Sequence, residues 1–320
     1  MAIVEARGLQ KSFGEVAALR DLSLSVEEGE ILGVLGPNGA GKTTTINMLT
    51  TLMRPDAGSV EVAGIDVLNN PTAVRPLIGL TGQFAALDGN LTARENLVLF
   101  GRLFKLGRSA ATTRAAELLE EFDLTDAADR RTANFSGGMR RRLDLAASMI
   151  GNPKVLFLDE PTTGLDPRSR SMLWDVVRRL RDEGVTVFLT TQYLEEADQL
   201  ADRIVVIDHG TVIAEGTPAE LKTRIGGAVC HLTVDDEAQR DRAAEILGAR
   251  WPVSRSGDEL TVPSEGSSTL FAAVRILDEA GIVPDDIGLR NPTLDDVFLA
   301  LTGQSTTDSE SDEQAVEASA

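Results

Sequence analysis

Three short runs carry residue types able to do chemistry together. Gly36-Pro37-Asn38-Gly39-Ala40-Gly41-Lys42-Thr43, followed by Thr44, fits G-x-x-x-x-G-K-T, with an apolar run before it and helical character after it. Its glycines let the backbone curl until successive amides face phosphate oxygens. Lys42 then neutralises the β and γ oxygens, and the Thr43 hydroxyl reaches Mg²⁺. This is the chemistry of an ATP or GTP site, and the strand-loop-helix context argues against a chance glycine loop.

The second run, Val155-Leu156-Phe157-Leu158-Asp159-Glu160, is an apolar strand ending in an acidic pair. A parallel sheet delivers such a strand end to its ligand-bearing edge. Asp159 is placed to hold the metal, directly or through water, and Glu160 to polarise an attacking water. Simple capping of the strand by Asp159-Glu160-Pro161 is the plain alternative, and the upstream loop argues against it. The third run is Phe135-Ser136-Gly137-Gly138-Met139, alone no more than a glycine-rich turn. Ser136 offers a hydroxyl, the glycines permit close backbone approach, and the helix expected over 140–149 points its positive dipole end at an anion.

The elements around these runs suit an α/β fold. Asp21-Leu22-Ser23-Leu24-Ser25-Val26 alternates as a half-buried strand does, and Ile31-Leu32-Gly33-Val34-Leu35 is continuously apolar, as a central strand is. Helical character follows over 43–52 and stops at Arg54-Pro55. Apolar spacing over 93–106 and 110–122 predicts a helical insertion, a subdomain of about 84–152. Apolar strands at 155–158 and 185–189, separated by an amphipathic helix over 168–181, make a β-α-β crossover and hence parallel pairing. Ile204 to Ile207 and Val212 to Ala214 flank Asp208-His209-Gly210 as a hairpin.

A second unit is expected over 226–303, after a first domain of 1–225. Its order of strand, helix, strand, strand, helix, strand is compatible with a small ferredoxin-like α+β domain. A last amphipathic helix covers 294–301, and the acidic stretch 304–320 has the composition of a disordered tail. No catalytic role is legible in this second unit; packing, dimer contact and docking to a membrane partner all remain open.

Composition narrows the partners. In 320 residues with 42% hydrophobic content there is no apolar stretch of bilayer-spanning length, and Glu5 stands where a signal peptide needs an apolar core. The single cysteine, Cys230, excludes an intrachain disulfide and suits a reducing compartment. A net charge of −19 argues against broad nucleic-acid binding, so phosphate recognition has to be local. The cluster Arg140-Arg141-Arg142 reads as a solvated helix start.

From Ala2 to Lys222 the chain resembles the nucleotide-binding subunits of ABC transporters, a P-loop NTPase fold with a mixed sheet core and a helical subdomain. Phe135-Ser136-Gly137-Gly138-Met139 occupies the place of the family's Leu-Ser-Gly-Gly-Gln signature, which addresses the γ-phosphate bound to the opposite subunit. The resemblance therefore implies a head-to-tail dimer with a second copy of the chain, each supplying half of every ATP site. It also implies an ATPase coupled to separate polytopic membrane permease subunits, peripheral at the cytoplasmic face of the plasma membrane.

Further roles rest on position within that resemblance. Gln83 would sense Mg²⁺ and link the core to the helical insertion. Asp166, in Gly164-Leu165-Asp166-Pro167, would join the two sites across the dimer, and Phe13 falls where the family stacks an aromatic on adenine. Gln192 stands where most members carry a histidine contacting the γ-phosphate; it can donate and accept hydrogen bonds but cannot become cationic near neutral pH. Hydrolysis is then expected to depend on Glu160. The run from Asn134 to Ala146, Thr190-Thr191-Gln192-Tyr193, and the terminal run from Leu294 to Gly303 look like the daunorubicin-resistance type, which exports hydrophobic drugs or lipids. Two other classes stay open: a soluble ABC-type ATPase without transport, and a nucleotide switch that binds without turnover.

Overall fold

A computed structural model describes residues 2–82, 86–224, 228–264 and 266–302. Gln83 and the stretch 304–320 lie outside the described residues, so the readings placed on them have no structural counterpart here. Contacts divide the chain into two compact units, with the break between Pro218 and Ala219.

In the first unit, β1 (Ala2–Phe13) pairs antiparallel with β2 (Val16–Glu27) and with β4 (Ala57–Val62), which also pairs with β5 (Ile65–Asp66), giving the order β2-β1-β4-β5. Between β2 and β4 come β3 (Ile31–Leu35) and α1 (Lys42–Leu49). Helix α1 is shorter than expected: it ends at Thr50, whose hydroxyl donates to the Ile46 carbonyl, and Thr51 turns left-handed at φ 70°. The stop therefore precedes Pro55, which serves the following turn instead.

After α2 (Pro71–Val74) and β6 (Ile78–Thr81), the chain makes the helical insertion from α3 (Ala93–Leu103), α4 (Arg108–Glu121) and α5 (Gly137–Ser148). A capping box starts α3: the Glu95 amide donates to Thr92, and the Thr92 amide donates to the Glu95 carboxylate. The chain then returns through β7 (Val155–Asp159), α6 (Pro167–Asp182), β8 (Thr186–Thr191), α7 (Leu194–Leu200), β9 (Arg203–Asp208) and β10 (Thr211–Gly216). These strands build a six-stranded sheet in the order β10-β9-β3-β8-β7-β6. Five of its strands run parallel and β10 is antiparallel at the edge, after a tight turn with His209 and Gly210 both at positive φ.

The mixed sheet divides two cores. Alternate residues of β7 and β8 face opposite ways: Leu156, Leu158, Val187 and Leu189 join the apolar cluster of the helical insertion and α6. Val155, Phe157 and Phe188 join the cluster formed with α1 and the antiparallel sheet. Burial on both faces is why these strands read as continuous apolar runs rather than alternating ones. Phe157 and Phe188 pack at 5.5 Å between ring centroids, a tilted pairing that fixes β7 beside β8.

The break falls after the first residue of α8 (Pro218–Arg224), and the second unit contains the rest of that helix with β11 (Val229–Thr233), α9 (Glu237–Gly248), β12 (Ser254–Ser256), β13 (Glu259–Pro263), α10 (Ser267–Glu279), β14 (Asp286–Arg290) and α11 (Leu294–Thr302). Its sheet is wholly antiparallel in the order β12-β13-β11-β14, the ferredoxin-like arrangement expected from the sequence. Cys230 and Leu232 alternate inward on β11, Leu260 and Val262 on β13, and together they bury Ala243, Leu247, Ala273 and Leu277 of α9 and α10.

Candidate functional site

Sheet register places the chemistry. The ends of three neighbouring parallel strands lie side by side, Leu35 of β3 beside Thr191 of β8, and Asp159 of β7 beside Thr190. The loop 36–41 leaves β3 at this edge and enters α1. It can turn so tightly only because Gly39 and Gly41 take φ of 80° and 107°, and because Gly36 carries no Cβ, which would stand 2.3 Å from the Ile207 carbonyl. The Ala40 amide donates to Pro37, and the Gly210 amide to Ala40, so the β9-β10 turn braces the loop from behind.

Lys42, at the start of α1, reaches back over this loop. Its Nζ donates to the carbonyls of Gly36 at 2.8 Å and Pro37 at 3.1 Å and lies 3.3 Å from Glu160 Oε1. Burial lowers the ammonium's pKa, and the Glu160 carboxylate opposes that shift. Asp159 Oδ1 accepts from the Thr190 hydroxyl at 2.6 Å and from the Thr43 hydroxyl at 3.3 Å. A carboxylate and a hydroxyl meeting at the strand ends are hard oxygen donors, the set that suits Mg²⁺ held jointly with phosphate oxygens and water. Thr190 entered the sequence reading only within the run Thr190-Thr191-Gln192-Tyr193, with no role at the site, because an apolar strand was expected to end at Leu189; β8 continues two residues further and delivers its hydroxyl to Asp159.

A cavity of about 850 Å³ opens over these groups, and its lining includes Phe13, Asn38, Gly39, Gly41, Lys42, Thr43, Thr44, Gly137, Arg140, Arg141, Glu160, Gly164 and Gln192. Phe13 is half exposed beside the loop, available as an apolar face rather than used as core. Ser136 N-caps α5, its hydroxyl accepting from the Met139 amide at 3.2 Å, a cap worth about 1 kcal/mol. Gly138 lies against α6, where a Cβ would meet Ser169 Oγ at 2.5 Å. Asp166 N-caps α6, accepting from the Ser169 amide at 3.0 Å and the Ser169 hydroxyl at 2.6 Å, and these bonds hold its pKa below the usual carboxylate value.

The arginine cluster corrects the sequence reading. Arg140 is exposed, but Arg141 is buried and its guanidinium donates to the carbonyls of Gly82, Asp159, Glu160 and Pro161. Arg142 donates to the carbonyls of Phe122 and Asp123 just beyond α4, where a cation meets unpaired carbonyls and the negative end of the helix dipole. A helical spacing of three and four from buried Gly138 through Arg141 to buried Leu145 was the available signal that Arg141 turns inward.

A second buried polar centre lies behind Gln192. Glu196 of α7 is fully buried and accepts from Trp174 Nε1 of α6 at 3.1 Å. Burial pushes its pKa up, while hydrogen bonds from Thr191, Trp174 and Thr162 pull it back. These contacts tie the strand end before Gln192 to the helix capped by Asp166.

Comparison with known proteins follows the same pattern. A family model described as "ABC transporter" matches residues 19–163. The chain is 52% identical to the daunorubicin resistance ATP-binding protein DrrA2 of Streptomyces coeruleorubidus, over 98% of either chain. It is 50% identical to the doxorubicin resistance ATP-binding protein DrrA of Mycobacterium tuberculosis, covering 96% of this chain and 95% of that one. Identity to the Nod factor export ATP-binding protein I of Ralstonia nicotianae is 41%, over 96% and 95%. Among solved structures, the ADP conformation of an ATP-binding cassette of an ABC transporter superposes with a TM-score of 0.63 at 28% identity, covering 69% of this chain and 92% of that one. A dimeric cassette in a post-hydrolysis state bound to ADP and Pi gives a TM-score of 0.61 at 28% identity, over 67% and 98%.

Proposed function

The chain belongs to the ABC transporter family of ATP-binding subunits, and from that premise we propose that two copies close head to tail around two ATP molecules to drive export of a hydrophobic drug or lipid. The observation that carries the reading is the convergence of Lys42, Thr43, Asp159, Glu160 and Gln192 at one sheet edge, while the same chain holds only one signature run, at the head of α5. One run addresses one phosphate chain. A partner copy completes each site.

Within the site, the loop amides and Lys42 bind and orient the phosphates, and Phe13 offers a face to the base. Thr43 and Asp159 would hold Mg²⁺, which when bound supplies charge neutralisation at the β and γ oxygens. Glu160 takes the proton of the attacking water, and Gln192 hydrogen-bonds the γ-phosphate without adding charge. Ser136, Gly137 and Gly138 of the partner copy address the same phosphate from the opposite side. Contacts to the γ-phosphate that ADP lacks favour the closed pair, and hydrolysis releases it.

Export through separate membrane subunits is supported by the full-length similarity to resistance and export proteins. No helix among the described residues is long and apolar enough to cross a membrane, which fits a peripheral subunit at the cytoplasmic face.

The decisive experiment mixes two inactive variants. K42A destroys one copy's own loop and S136R destroys what that copy offers its partner. In a head-to-tail pair of one K42A and one S136R chain, one site loses both elements and the other keeps both. The mixture should regain ATP turnover that neither variant shows alone. A mixture as inactive as its parts refutes the shared site, and failure to co-purify with a polytopic membrane protein refutes the transport role.

A further inference from the structure

We propose that Arg141 is a positioning residue for hydrolysis, a clamp of four hydrogen bonds that fixes the Glu160 turn to the helix carrying the signature run. This inference rests on the ATPase reading above and goes beyond it by naming what holds the catalytic carboxylate in place.

All three guanidinium nitrogens take part. Nε donates to the Pro161 carbonyl at 2.7 Å, and Nη1 to the Gly82 carbonyl at 2.6 Å. Nη2 divides between the carbonyls of Asp159 at 3.2 Å and Glu160 at 3.3 Å. Nη1 also forms an ion pair with Asp144 Oδ2 at 3.7 Å, too long for a hydrogen bond. A guanidinium has five N–H donors in a fixed fork, and here its three nitrogens make four hydrogen bonds to backbone carbonyls. A lysine could satisfy three at most, from a single point.

The segment so held is strained. Glu160 adopts φ of 47°, in the left-handed region that a residue with a Cβ rarely enters and that costs on the order of 1–3 kcal/mol. From one side the turn is fixed by the Glu160 amide, which donates to the Thr190 carbonyl at 3.0 Å. Arg141 fixes the carbonyls on the other side. The outcome is the placement of the Glu160 carboxylate 3.3 Å from Lys42. Removing the clamp lets the turn relax toward ordinary backbone angles and swings that carboxylate away.

The clamp also has a direction. Arg141 lies on α5, one turn beyond the Ser136 cap, and the neighbouring Asp144 of the same helix accepts from the Ala86 amide at 3.1 Å. Helix α5 thus grips the end of β6 through Gly82, the chain at Ala86, and the turn after β7. A shift of the signature helix on contact with a partner's nucleotide would pull on Glu160 through one rigid side chain. Coupling of this kind acts on turnover and leaves the P-loop contacts to nucleotide unchanged.

The test uses the full-length chain with Mg²⁺ and a fluorescent ATP analogue. R141K, which keeps the charge but not the fork, and R141Q, which keeps two donors, are each expected to lose at least tenfold in kcat while the Kd for the analogue stays within threefold. A kcat within threefold of the unaltered chain in R141K overturns the inference, as does a loss of affinity that matches the loss of kcat, the mark of a general folding role. Should R141Q not fold, R141K alone decides. Absence of turnover in the unaltered chain would overturn the ATPase reading and this inference with it, whereas normal turnover in R141K overturns this inference alone.

Discussion

Lys42 Nζ lies 3.3 Å from Glu160 Oε1, with only 4% and 10% of the two side chains exposed. The residue proposed to bind phosphate is thus in direct contact with the residue proposed to activate water. Removing the negative charge of Glu160 leaves a desolvated ammonium bonded to the carbonyls of Gly36 and Pro37, with Asp159 as the remaining nearby anion, and it also removes a repulsion against incoming phosphate. E160Q should therefore bind MgATP at least as tightly as the unaltered chain while its phosphate release falls by about 10²- to 10⁴-fold, the usual worth of a general base. Equilibrium binding and a phosphate-release assay check both halves; a tenfold loss of affinity in E160Q would contradict the electrostatic argument.

Gln192 borders the same cavity as Lys42 and Glu160, and it has no cationic form. Q192H would introduce a ring that gains charge as pH falls through about 6.5. The expected signature is a ratio of Q192H to unaltered turnover that rises as the medium is acidified through that range. Q192A should lose at least tenfold in kcat with little change in nucleotide affinity. A ratio independent of pH, together with an unaffected Q192A, would remove Gln192 from the reaction.

Much of the site was legible because its chemistry is local in sequence. Gly36 to Thr43 form one contiguous loop, and Asp159 with Glu160 end one strand, so spacing alone places them. What could not be read was the set of contacts made across the fold. Thr190 meets Asp159 only because β8 and β7 pair in register, and Arg141 meets Gly82 and Glu160 only because α5 packs under two strand ends. Arg141 also broke the rule that charge runs are solvated, since a guanidinium donating to four backbone carbonyls can be buried where an unpaired charge cannot. The antiparallel sheet of β1, β2, β4 and β5 was legible only in the alternation of 21–26. Its pairings carry several register shifts that blur a strict period of two.

Gly138 is held so close to α6 that an added Cβ would stand 2.5 Å from Ser169 Oγ and 2.8 Å from Ser169 Cβ. Ser169 cannot retreat cheaply, because its amide and hydroxyl both donate to Asp166. Alanine gains about 1 kcal/mol over glycine inside a helix. Overpacking of this kind costs about 1–3 kcal/mol, so the clash should win. G138A is expected to be less stable in urea and to turn over ATP poorly while still binding it at the P-loop. The double variant G138A/S169G should recover most of the stability; equal destabilisation with and without S169G would show that the contact is not the cause.

Asp144 gives the chain a pH dependence of unusual sign. Burial pushes its carboxyl up to about 6 from an ordinary 3.8, and Arg141 and the Ala86 amide only partly oppose this. Between those values the folded chain holds a proton that the unfolded chain has released, so stability falls as pH rises. The contribution is complete below about pH 4 and gone above about pH 6, and a gap of this size is worth on the order of 2–3 kcal/mol. Asparagine in its place keeps an acceptor for Ala86 and does not titrate. The unfolding free energy of the unaltered chain relative to D144N should therefore decline across that window, other carboxyls cancelling in the difference. Urea titrations at several pH values measure it. A flat difference, or one that rises with pH, would mean that Asp144 is stabilised as an anion by Arg141 more strongly than burial disfavours it.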